Sequence, residues 1–74
     1  MAFDYSKLRG RIVERFGSQQ KFAEAMGMSE RTLSLKINGK RSWKQPEILE
    51  VVKKLGLTEE DIQDYFFTLK VQNI

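Results

Sequence analysis

Cysteine and histidine are both missing from these 74 residues. Without thiols no disulfide can form and no zinc finger can be built, and without imidazole the usual metal ligand and general base are gone. The lack of cysteine is compatible with a reducing interior. Neither a nucleophile with its base nor a glycine-rich phosphate loop is found, so the sequence predicts no enzyme, no cofactor and no small-molecule substrate. No apolar run approaches the length of a membrane span, and the start MAFDYSKLRG lacks the hydrophobic region of a signal peptide. A cytoplasmic protein with no membrane partner is expected. Repeats, low-complexity segments and linkers are absent as well.

What is present is enough for one small core. The chain is 41% hydrophobic, with five Phe, two Tyr and one Trp, and its length suits a single domain, 1–74. A net charge of +3 says little by itself. Its distribution says more: residues 1–41 hold nine basic against four acidic side chains, and residues 42–74 hold four against six. Positive charge gathered on one half suits a surface that approaches phosphates, or simply a solvated face.

The stretch Ser18–Arg41, SQQKFAEAMGMSERTLSLKINGKR, organises the rest. Ser18 is an N-cap, Phe22, Ala23 and Met26 recur at helical spacing, and Gly27 stops the helix. Ser29 caps a second helix that runs to Asn38, with Glu30 near its positive end and Gly39 as the left-handed exit. Together, residues 18–39 form a helix-turn-helix unit. Stepping about 100° per residue from Glu30 puts Leu33 and Ile37 near 300° and 340°, facing the core. Asn38, Arg31 and Leu35 fall near 80°, 100° and 140° by the same step, with Ser34 and Thr32 at the edges of that outer face. An outward Leu35 is either an ordinary exposed apolar residue or a contact for a thymine methyl or a protein partner.

Before this unit, a helix over Tyr5–Phe16 is expected, capped by Asp4, with Tyr5, Leu8, Ile12, Val13 and Phe16 as its apolar stripe. Gly10 in its middle marks either a close helix approach or a tolerated surface position. After it, Trp43 in the connecting loop reads as structural, packing over the core edge, with stacking on nucleic acid as the lesser alternative. Pro46 and Glu47 suit the first turn of a helix carrying Ile48, Val51, Val52 and Leu55 and closed by Gly56. Thr58 and Asp61 resemble a capping box that starts a short fifth helix through Ile62, Tyr65 and Phe66.

The end, FFTLKVQNI, changes to an alternating period, so a short extended segment is expected. A lone strand in a helical domain has no partner in its own chain. It is either a frayed tail or, as the surplus of aromatics favours, a dimerisation segment, 65–74, with Tyr65, Phe66, Phe67, Leu69 and Val71 at the interface.

Residues 18–41 resemble the helix-turn-helix of the lambda-repressor and Cro-type phage regulators. The carriers are Ser18-Gln19, Ala23, Met26-Gly27-Met28-Ser29 and the exit Asn38-Gly39-Lys40-Arg41, with no insertion between Gln19 and Gly39. The later L-G-L-T, the N-terminal FDYSKLRGRIVERFG and the terminal YFF are similar to small Cro-like proteins of phages of Gram-positive hosts. The resemblance implies an all-α fold of five short helices in a bacterial cytoplasm. It also implies a Cro-like repressor that reads a double-stranded DNA operator as a homodimer. On that basis Glu30, Arg31, Ser34 and Leu35 face the bases, Arg31 pairing with guanine, while Gln19, Thr32, Lys36, Asn38, Lys40 and Arg41 contact the backbone. Lys36 reads equally well as solvated. Glu30 stands where the family often has Gln. Being an acceptor only, it either favours cytosine, or holds Arg31, or serves the helix dipole. The acceptor-only Glu30 and the apolar Leu35 also support a second expectation from a different class: a protein-binding modulator that pairs with another phage regulator.

Overall fold

The computed structural model describes residues 3–69. The chain forms five helices: α1 (Ser6–Phe16), α2 (Gln19–Met26), α3 (Glu30–Ile37), α4 (Gln45–Leu55) and α5 (Glu59–Phe66). The all-α fold expected from the sequence is what the structure has.

α1 is the central element, in contact with each of the other four helices. Its periodicity accounts for this, since Leu8 and Ile12 are one turn apart and both fully buried. Around them close Phe22 and Ala23 of α2, Leu33 and Ile37 of α3, Val51 and Leu55 of α4 and Phe66 of α5. Val13 departs from its expected place on the apolar stripe and is 46% exposed. It lies about 100° from Ile12 on the wheel, beyond the width of the buried stripe.

Local chemistry ends the helices largely where the sequence says. Asp4 acts one residue earlier than a standard N-cap, its Oδ1 accepting from the Ser6 N–H at 2.9 Å while Tyr5 holds the cap position. Ser18 and Ser29 accept from the backbone N–H of Lys21 and Thr32. The Thr58 N–H donates to the Asp61 carboxylate, starting α5. Gly27 ends α2 in the left-handed region at φ 72°, which only glycine occupies without strain. That conformation allows the 28–29 turn and the immediate start of α3.

The C-terminal extended segment finds a partner in its own chain, contrary to expectation. Phe3 forms an antiparallel bridge with Leu69, and the Asp4 N–H donates to the Thr68 carbonyl at 2.7 Å. The cause is the packing of α1 against α5, which brings residues just before α1 beside those just after α5. Intrachain pairing removes the reason for requiring a second copy. Phe66, expected at a dimer interface, is 1% exposed and belongs to the core, where it packs edge-to-face with Trp43, ring centres 5.3 Å apart. Tyr65 is half-buried against the same core, Phe67 and Leu69 are exposed, and Val71 lies outside the described residues.

Gly10 is exposed, and a Cβ built on it meets nothing within 4 Å, so no close helix approach requires glycine there. Gly10→Ala is therefore expected to stabilise the protein by about 0.5–1 kcal/mol, because alanine loses less backbone entropy in a helix. Thermal unfolding of the two proteins side by side checks this; an unchanged or lower midpoint contradicts it.

Candidate functional site

Two surfaces stand out, one on α3 and one beside its exit. On the outer face of α3, Glu30, Arg31, Ser34 and Leu35 line one shallow depression, as their helical spacing requires. Glu30 and Arg31 are exposed, and among the described residues neither side chain makes a hydrogen bond or ion pair. Glu30 thus does not hold Arg31. It remains an acidic residue in the first turn of α3, where the helix dipole favours it.

Of the six residues expected to flank this face, Thr32, Lys36 and Asn38 have side-chain partners within the chain, while Gln19, Lys40 and Arg41 are not engaged in this way among the described residues. Gln19 is half-buried at the start of α2. Thr32 belongs to the cap of α3, its Oγ1 accepting from the Ser29 hydroxyl at 2.9 Å. Asn38 braces the end of α3 against α1. Its Oδ1 accepts from Arg9 at 2.6 Å, and its Nδ2 donates to Ser34 at 3.2 Å. Lys40 and Arg41 keep exposed side chains while their backbone N–H groups donate to the Leu35 carbonyl.

Lys36 departs furthest from the sequence reading. It is 2% exposed, so it neither reaches a phosphate nor lies in solvent. Its Nζ donates to Glu47 Oε1 at 2.7 Å and to the Ser42 carbonyl at 3.0 Å, and it stands 5.8 Å from the centre of the Trp43 ring. A buried ammonium needs partners of this kind, and burial without them would be prohibitive. Glu47 Oε1 also accepts the Lys44 N–H at 2.8 Å, which caps the start of α4. Burial pushes the Glu47 carboxyl up, but the hydrogen bonds from Lys36 and Lys44 and the charges of the two lysines outweigh it and hold it below its ordinary value.

The second surface is a groove of about 450 Å³ at the C-terminal end of α3. Phe3, Tyr5, Trp43, Ile48, Phe66 and Phe67 supply its walls, with Arg41 and Gln45 among its polar groups. Phe67 meets Phe3 edge-on at 5.8 Å, and Phe3 lies 6.4 Å from Tyr5. Burial raises the Tyr5 hydroxyl above its usual range. Trp43 packs on the core edge as the sequence suggests, but the groove as a unit escapes sequence reading. Its lining comes from positions 3 to 67, and only the alternation at Phe67 and Leu69 hinted at the C-terminal part.

Fold and surface together define a small five-helix protein with an aromatic groove beside the exit of α3 and with Lys36 and Asn38 of the α3 flank engaged in internal contacts. The chain belongs to the family described as "Protein of unknown function (DUF739)", which it matches over residues 1–69. No curated protein matches it. Among solved structures it is similar to the solution structure of the modulator of repression of the temperate bacteriophage TP901-1 from Lactococcus lactis. The two share 54% identity over 97% of each chain, with a TM-score of 0.79.

This likeness overturns the expectation of a Cro-like repressor reading an operator. The similar protein is a modulator of repression, and the matching family is described without a function. The burial of Lys36 agrees with this, since it removes one expected backbone contact, while exposed Asn38 is hydrogen-bonded to Arg9 and Ser34. Neither a DNA operator nor a homodimer is supported. Among the described residues no helix is long and apolar enough to cross a membrane, and no group of acidic side chains is placed to hold a metal ion.

A folded-state pKa below the ordinary 4.5 means that Glu47 adds stability above that value and loses it as pH falls through the folded pKa. Glu47→Gln is expected to cost on the order of 2–3 kcal/mol near neutral pH, because it leaves the Lys36 ammonium poorly compensated. That gap should narrow steadily below pH 4.5. Urea unfolding of both proteins across pH measures it, and a gap independent of pH contradicts the assignment.

Proposed function

We propose that this chain is a phage-encoded modulator of repression, acting in the bacterial cytoplasm by binding a separate phage regulator instead of reading an operator. The observation that carries the proposal is the 54% identity over 97% of each chain to the TP901-1 modulator of repression. A relationship that close over nearly the whole length favours a shared role.

The surface chemistry supports it. Phosphates gain nothing from a groove walled by Phe3, Tyr5, Trp43 and Phe67. An apolar side chain of a protein partner gains a great deal, because rigid rings around a water-excluding recess are the usual anchors of protein interfaces. Arg41 in the lining offers a fork of donors to a carboxylate near such an anchor. On α3, exposed Glu30 accepts hydrogen bonds from the basic side chains that a DNA-binding partner must carry, and Leu35 supplies an apolar contact beside it. A regulator held in this way has its own basic surface covered, which is the simplest route to modulated repression.

Titration calorimetry of the chain with the DNA-binding regulator of the same phage tests this. The expected result is a complex that Phe67→Ala weakens about tenfold or more, corresponding to roughly 1.4 kcal/mol lost at an aromatic anchor. Leu35→Asp is expected to weaken it similarly. Absence of a complex at tens of micromolar regulator, or sequence-specific retention of operator duplex by the chain alone, rejects the proposal.

A further inference from the structure

The groove depends on a loop that carries little regular structure of its own. Residues 39–44 run from left-handed Gly39 to the cap of α4 and carry Trp43, one wall of the groove. The indole Nε1 is buried with no hydrogen-bond partner, so no polar contact of the ring fixes its orientation. What holds the ring is the edge contact with Phe66 at 5.3 Å and the Lys36 ammonium 5.8 Å from its centre. What holds the backbone on either side is the same ion pair. Lys36 Nζ donates to the Ser42 carbonyl, just before Trp43, and Glu47 Oε1 accepts from the Lys44 N–H, just after it. The bond from Lys36 to Glu47 closes the clamp.

We infer that Lys36 is a positioning residue for the groove: clamped by Glu47, it fixes the 39–44 loop so that Trp43 forms the groove wall. The role of the groove in partner binding rests on the function proposed above; the positioning of Trp43 does not. Neither Lys36 nor Glu47 lines the groove, so both act through Trp43. Net stability is a poor explanation for the pair. Replacing a buried ion pair by apolar groups of similar size is often neutral or better, and what such a pair provides is one defined arrangement of the groups it joins. A methionine at position 36 would fill the space but leave the Ser42 carbonyl without its donor.

The test is Lys36→Met, with Glu47→Gln as a second variant that keeps the lysine. Trp43 is the chain's single tryptophan, so its emission and its quenching by acrylamide report on the loop directly. The expected result is a folded variant in which quenching rises at least about twofold and amides of the 40–44 loop exchange about tenfold faster, while those of α1 speed up by no more than the loss of global stability measured in urea accounts for. Folded variants with native quenching and native loop exchange overturn the inference. So does global unfolding of both variants, which would assign the pair to fold stability. These readouts need no partner, so their failure leaves the modulator reading standing, and absence of a complex with the regulator leaves them unaffected.

Discussion

The burial of Leu8 and Ile12 at the centre of four surrounding helices is the constraint on which the molecule depends. A chain this short has one chance to build a core, and it does so by making its first helix the axis. Each of these side chains contributes about 1.5–3 kcal/mol by leaving water, a large share of the stability a small domain has. The consequences reach the surface. Because α5 also packs on α1, the segments before α1 and after α5 meet, and Phe3 comes to lie against Phe67. The aromatic groove is thus a by-product of a hub arrangement, closed on one side by the segments that flank α1 and α5 and on the other by the loop that leaves α3.

Local signals made the helices legible, and distant pairings hid the rest. Ser18, Ser29, Gly27 and Gly56 act within a few residues of themselves, so their roles can be read from the sequence alone. The apolar positions Leu33 and Ile37 fall where the helical step places them. Phe3 and Leu69, by contrast, are joined only by the tertiary packing of α1 on α5, and nothing near either residue announces the other. That gap is why the sequence alone points to a second copy: an extended segment with no visible intrachain partner calls for an external one. Phe66 illustrates a related limit. In a run of three aromatics, periodicity alone does not say which ring the core takes, and the core takes the one that meets Trp43.

Lys36 marks where residue type misleads and position does not. The helical step puts it near 240°, about 60° from Leu33 and so at the edge of the buried face. A lysine there reads as a flank that turns outward. It turns inward because Glu47, eleven residues on, reaches the same place from the first turn of α4. The partner decides the burial, and the partner lies in another helix. Of the outer face, the grouping of Glu30, Arg31, Ser34 and Leu35 was fully legible, since it follows from one helix. The chemistry that face meets was not, because the same helix pair suits either a duplex or a protein.

The charge polarity of the sequence does not carry over to the folded surface. Sequence order divides the chain into a basic first part and an acidic second part, and a polarised surface follows only if the two parts stay apart in space. They do not. Glu47 of α4 pairs with Lys36 of α3, and Asp64 of α5 lies 4.0 Å from Lys7 of α1. Within the basic part, Arg11 is paired with Glu14, and the Arg9 guanidinium is turned onto Asn38. The exposed ion pairs Lys7–Asp64 and Arg11–Glu14 add little to stability, but each places a carboxylate beside a cation that would otherwise belong to a phosphate-facing field. Folding the acidic half around a hub in the basic half mixes the charges and leaves the aromatic groove as the surface feature with the clearest chemistry.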